Sequence, residues 1–158
     1  MKIYIRFIAD DSFVSRAIGW RTEGKPSHVE YVRITDSGMV STFGARLVGG
    51  VRYRPLDYCK PTFEEWYTFE GIEASFEEAT GFYGHKYDWA DIIELATGIY
   101  PRSYDPNRAI CSILVGYSNR MAWAAGKAPA LINPNVPTRQ MTPQLLYGAV
   151  TEQVKVGF

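Results

Sequence analysis

The sequence predicts an α+β fold, a small antiparallel β-sheet packed against helices. Three observations carry that expectation. Residues 3–70 fall into short runs of alternating apolar and polar or β-branched residues bounded by turn-forming residues. After Gly71 the composition changes to helix formers with apolar residues at helical spacing. The most apolar stretch of the chain, Ala109 to Ala125, is too long for a strand and reads as a largely buried helix that begins at Cys111.

The elements follow in order. Ile3 to Ile8 alternates apolar residues with Tyr4 and Arg6, the pattern of a strand with one buried face. Asp10, Asp11 and Ser12 offer caps for a short helix carrying Phe13, Val14, Ala17, Ile18 and Trp20, which ends near Gly24-Lys25-Pro26. His28 to Ile34 and Met39 to Phe43 form a hairpin about the turn Thr35-Asp36-Ser37-Gly38. Val51 to Leu56 gives a third strand ended by Pro55, and Trp66 to Glu70 a fourth. Ile72 to Phe82 is a helix that stops at Gly84, and Asp88 caps a second helix over Trp89 to Thr97. Beyond the Cys111 helix come four prolines between residues 129 and 143, a helix opened by Thr142-Pro143, and a last strand at Gln153 to Val156.

A length of 158 residues with 46% hydrophobic content suits one domain, residues 1–158, with a real core. Lys and Arg total 17 against 17 for Asp and Glu, so no overall field favours nucleic acid or an anionic membrane. Charges at Arg6, Asp10 and Asp11 interrupt what would be the apolar region of a signal peptide, and no run is long and apolar enough to span a bilayer. The expectation is a soluble, cytoplasmic chain without stable membrane insertion. Two cysteines make no disulfide framework, and two histidines make no tight Cys/His cluster for zinc, so neither metal nor cofactor is expected.

Chemistry centres on Cys111 and His28. A helix N-terminus supplies unpaired N–H groups and partial positive charge that stabilise a thiolate, and Cys111 opens a helix. An imidazole beside it can take the thiol proton and return it to a leaving group, which is acyl transfer through a thioester. His28 opens a strand after a Gly-Lys-Pro-Ser turn and is the natural partner. Spacing alone leaves the bland alternative open for both, a packed core cysteine and a structural histidine.

The order of motifs adds to this. Ser27-His28-Val29-Glu30-Tyr31-Val32 follows Ile18-Gly19-Trp20-Arg21-Thr22. Then come Gly44-Ala45-Arg46, Gly49-Gly50-Val51-Arg52, Arg54-Pro55-Leu56, Tyr83-Gly84-His85-Lys86-Tyr87-Asp88, Ile110-Cys111-Ser112-Ile113-Leu114-Val115 and Met141-Thr142-Pro143-Gln144-Leu145-Leu146. From about residue 3 to residue 147 the set resembles the permuted papain-like NlpC/P60 superfamily, including its YiiX/LRAT-like cysteine hydrolases and its phage-encoded members, in which the histidine precedes the cysteine. The resemblance implies a circularly permuted papain-like fold, Cys111 as nucleophile, His28 as base, and an oxyanion hole that includes the N–H of Cys111. It implies a peptide, peptidoglycan or acyl substrate, and allows virion association or action in a host cytoplasm.

The third member of the site departs from the family pattern. Relatives often place a polar residue on the next strand, across from the histidine. With the turn centred on Asp36-Ser37, that position is Ala45 or Gly44, neither of which can orient an imidazole. Glu30 lies two residues along from His28, so both side chains leave the same face of the strand, with Val32 and Ile34 continuing it. A carboxylate on that stripe needs a partner: Glu30 either orients His28 or meets an arginine or solvent at the sheet edge. Ser41 and Thr42 are weaker substitutes.

Cys59, in a loop before Lys60-Pro61, has no helix terminus to activate it and reads as incidental; His85 reads as a cation at a helix C-terminus. Trp20, Ser27, Tyr87 and Ser112 are candidate cleft residues, and the remaining tryptophans read mostly as core. Three functions stay open: a cysteine amidase or peptidase, an inactive relative kept as a phage or virion binding and assembly module, and an acyltransferase or thioesterase on the same scaffold.

Overall fold

A computed structural model of the chain describes residues 1–12, 15–16, 19–20, 24, 26–88 and 108–156. Five strands form one antiparallel sheet: β1 (Lys2–Ala9), β2 (His28–Ile34), β3 (Val40–Arg46), β4 (Gly50–Pro55) and β5 (Phe63–Tyr67), in the spatial order β4-β3-β2-β1-β5. Helices among the described residues include α1 (Ile72–Thr80), α2 (Cys111–Ala124) and α3 (Pro143–Val156), with 3₁₀ turns at Leu56–Tyr58 and Thr138–Gln140. A short parallel pair, β6 (Lys86–Tyr87) with β7 (Arg108–Ala109), brings the chain to the start of α2. The expected α+β class with an antiparallel sheet against helices is therefore present. The expected helix of residues 89–97 lies outside the described residues, as do Phe13, Val14, Ala17 and Ile18 of the first helix.

One face of the sheet supplies Ile5, Phe7, Val29, Tyr31, Phe43 and Val51 to the core. Against it pack Ile72 and Phe76 of α1, Leu114 and Val115 of α2, and Leu146 and Val150 of α3. Full burial of each such side chain contributes about 1.5–3 kcal/mol. Tyr31 places its hydroxyl 2.8 Å from Ser118 Oγ, a polar tie between β2 and α2 inside this core.

Four expectations need correction. From Ile5 to Ala9, β1 is buried on both faces: on the face away from the helices Arg6 is 2% exposed, its guanidinium held by Glu30, Glu64 and the Leu56 carbonyl. The fourth strand runs over Phe63–Tyr67 instead of Trp66 to Glu70; Ile72 N–H bonds to the Phe69 carbonyl, and Gly71, at φ 76°, turns the chain into α1. A Cβ at Gly71 would lie 2.4 Å from that of Ala128, so the turn needs glycine for space as well as for conformation. Gln153 to Val156 is the end of α3, not a strand, since extending an existing helix needs no new nucleus. Trp20 and Trp123 are exposed, and Trp66 is half-buried with its indole N–H donating to Glu64, so tryptophan is less of a core residue here than its composition suggested.

Candidate active site

The site lies where β2 begins and α2 begins. Ile110 is extended (φ −98°, ψ 166°) and caps α2 without a side-chain bond, making Cys111 the first helical residue, where first-turn N–H groups have no intrahelical acceptor. His28 is the first residue of β2 and lies close enough to Cys111 for each to shift the other's charge. The backbone N–H of Val29 also bonds to the sulfur.

Glu30 completes the row. Its Oε2 lies 3.3 Å from His28 Nε2, as the shared strand face predicted. With Nε2 turned to the carboxylate, Nδ1 is the ring nitrogen left for the thiol. Glu30 is 0% exposed and fully partnered: Arg6 Nη1 donates to Oε1 at 3.0 Å and the Tyr58 hydroxyl to Oε2 at 2.8 Å. Arg6 in turn bonds Glu64 through Nε at 2.8 Å and the Leu56 carbonyl through Nη1 at 3.3 Å. Glu30 therefore meets both the imidazole and an arginine. The two readings that the sequence left open hold together.

The electrostatics follow. Burial works against the charge on Cys111, but the His28 imidazolium, the Val29 N–H and Arg46 more than offset it and hold the thiol below its ordinary value. For His28, burial and the Arg46 charge push down, while the Cys111 thiolate and the Glu30 bond raise it above its ordinary value. Burial would raise Glu30 too, yet His28, Arg46 and Tyr58 keep it below the usual carboxylate range. The three shifts together act in the direction of a thiolate–imidazolium–carboxylate row.

Strand register changes one expectation. Ile34 faces Val40 and Tyr31 faces Phe43, which centres the connection on Ser37. Continued to the strand ends, this sets Glu30 against Gly44 and His28 against Arg46, not against Ala45 or Gly44. The turn accounts for the shift of one residue: Thr35 N–H bonds to the Met39 carbonyl, Gly38 N–H to that of Thr35, and Gly38 takes φ 80°. Arg46 thus stands across from His28 on the next strand. It acts by charge, while its guanidinium bonds Asp10 Oδ2 at 3.4 Å and Cys59 Sγ at 3.6 Å and covers the Tyr58 ring at 4.8 Å. Ser41 and Thr42 take no part; Thr42 Oγ1 bonds the Arg54 carbonyl at 3.5 Å.

A cavity of about 490 Å³ opens onto His28. Ser27, Tyr87, Tyr58 and Cys59 help line it, so two of the four candidate cleft residues are where the sequence put them. The other two are elsewhere. Trp20 is 81% exposed and outside the lining, and Ser112 is 0% exposed with a hydroxyl that meets no partner among the described residues. Cys111 itself is 2% exposed and does not line the cavity. Cys59, read as incidental, shares the cavity wall. His85 lies apart, its ring 5.2 Å from that of Phe82.

Sequence reasoning missed Arg6, Arg46 and Tyr58. An arginine on the apolar strand β1 was a usable signal for Arg6, since a buried charge requires a paired one. Tyr58, in a 3₁₀ turn after Pro55, had none.

No family model matches the chain, and no curated protein is significantly similar to it. Among the described residues no helix is long and apolar enough to cross a membrane.

Proposed function

We propose that the chain is a cysteine-dependent amide hydrolase, a peptidase or amidase of the permuted papain-like type that works through a thioester. One arrangement supports the reading: Cys111 at the first position of α2, electrostatically coupled to His28, whose Nε2 faces the buried Glu30.

In this reading the Cys111 thiolate attacks the substrate carbonyl carbon, and the negative charge passes to the carbonyl oxygen, held by the Cys111 N–H at the helix N-terminus. As the tetrahedral intermediate collapses, the His28 imidazolium gives its proton to the leaving amine, and the C–N bond breaks. Water then attacks the thioester with neutral His28 accepting its proton. The acid is released, and the proton returns to the Cys111–His28 pair. Glu30 keeps Nε2 bonded through both halves, so Nδ1 stays aimed at the sulfur.

The test is thiol labelling with peptide mapping. At about pH 6, Cys111 reacts with iodoacetamide faster than Cys59 and faster than in the denatured chain, because His28, the Val29 N–H and Arg46 hold its thiol below the ordinary value. Equal rates at the two cysteines, or faster loss of Cys59, would reduce Cys111 to a packing residue.

A further inference from the structure

Three arginines approach the cavity that opens onto His28, and two of them are engaged by bonds within the protein. Arg46 is bound to Asp10 and Cys59. Arg54 holds backbone: Nη1 bonds the Gly44 and Arg52 carbonyls at 3.0 and 3.2 Å, and Nη2 those of Val48 and Gly50 at 3.1 and 2.7 Å. Arg54 thereby fixes the Val48–Gly50 turn as the rim of the cavity.

Arg52 is different. It lines the same cavity and is exposed, and among the described residues no protein acceptor meets its guanidinium, which leaves the fork open to a ligand. Yet it is placed with care. Gly49, at φ 85°, lacks the Cβ that would lie 1.1 Å from Arg52 Nη2 and 1.9 Å from Cζ, so the guanidinium fills the space a side chain at Gly49 would need. Beside it, Leu47 and Val48 give the rim an apolar wall, although Val48 is largely exposed. A planar fork of donors without an acceptor, held over an apolar rim, matches a carboxylate.

We propose that Arg52 is a substrate-binding residue that receives a carboxylate of the acyl substrate, either an acidic side chain or a free C-terminal carboxylate. The proposal rests on the Cys111-centred reading above and adds the class of substrate. The carboxylate docks at the rim, apolar atoms lie on Leu47 and Val48, and the scissile carbonyl reaches past His28 to Cys111. Neutralising Arg52 this way leaves the Arg46–Asp10 pair intact.

The test uses bromoacetyl reagents, which alkylate thiols. One arm pairs bromoacetyl-glycine, bromoacetyl-β-alanine and bromoacetyl-γ-aminobutyrate with their carboxamides, and so samples a terminal carboxylate at increasing reach. The other pairs bromoacetyl-aspartate and bromoacetyl-glutamate amides with the asparagine and glutamine forms. The readout is the carboxylate-to-carboxamide rate ratio at Cys111, divided by the same ratio in the denatured chain. In the wild type the corrected ratio rises about tenfold in at least one pair, the scale of one charge-assisted hydrogen bond. It falls toward one in Arg52→Gln and below that in Arg52→Glu, with circular dichroism verifying the fold of each. The arm that responds identifies the source of the carboxylate. A reactive Cys111 with the same ratio in wild type and both variants overturns the Arg52 site alone. A Cys111 no more reactive toward any reagent than in the denatured chain overturns this proposal and the hydrolase reading together.

Discussion

At Glu30, a carboxylate without solvent contact accepts bonds from Arg6, Tyr58 and His28 at once, so its charge serves the fold and the imidazole together. Glu30→Gln keeps the volume and removes the charge. The imidazolium then loses a stabilising partner and the thiolate loses part of its counter-ion, so the thiol value rises. We expect the acid limb of Cys111 alkylation to move to higher pH, so that the variant reacts more slowly than the wild type on that limb. The pH profile of Cys111 labelling checks this; superimposed wild-type and variant profiles would leave Glu30 a purely structural ion. Arg6 retains Glu64 in the variant, which limits the loss of stability that a fully orphaned buried guanidinium would bring.

Among the elements, the β2–β3 pair controls the geometry of the site. Gly44 lies directly beside Glu30: a Cβ there would come within 2.8 Å of the Glu30 Cβ, and the backbone at Gly44 needs no positive φ. The glycine is required for space. Gly44→Ala pushes the Glu30 side chain or parts the strands, and we expect a loss of about 1–3 kcal/mol, the usual range for overpacking. A fall in the urea midpoint at unchanged slope reports it, and the same displacement slows Cys111 alkylation. A variant as stable and as reactive as the wild type would mean that the pair relaxes without cost.

For the whole molecule, the position of α2 depends on contacts far from the site. Asn119 donates through Nδ2 to Ser75 Oγ on α1 at 3.2 Å and to the Pro129 carbonyl at 3.1 Å, and accepts the Leu131 N–H at 2.8 Å. One buried amide thus joins two helices and the segment that follows α2. Asn119→Ala strands the Leu131 N–H and the Pro129 carbonyl, each at about 1–3 kcal/mol, so thermal unfolding should fall by about 5–10 °C. A melting temperature within a degree of wild type would show that water replaces the amide.

Local periodicity lies within a single segment, and so a sequence carries it. It determined that His28 and Glu30 share a face, that Cys111 opens a helix and that the N-terminal segments are strands. It also misled in places. The alternation at Arg6 suggested a solvent face, where the guanidinium is instead buried against Glu30, Glu64 and the Leu56 carbonyl, and the expected strand at Gln153 to Val156 lost to the continuing helix. Register and coverage arise between segments, from turn hydrogen bonds and from which strands and turns happen to pack together. For that reason only the tertiary structure decided that Arg46 faces His28, that Tyr58 folds over Glu30, and that Gly49 leaves room for Arg52 at the cavity rim.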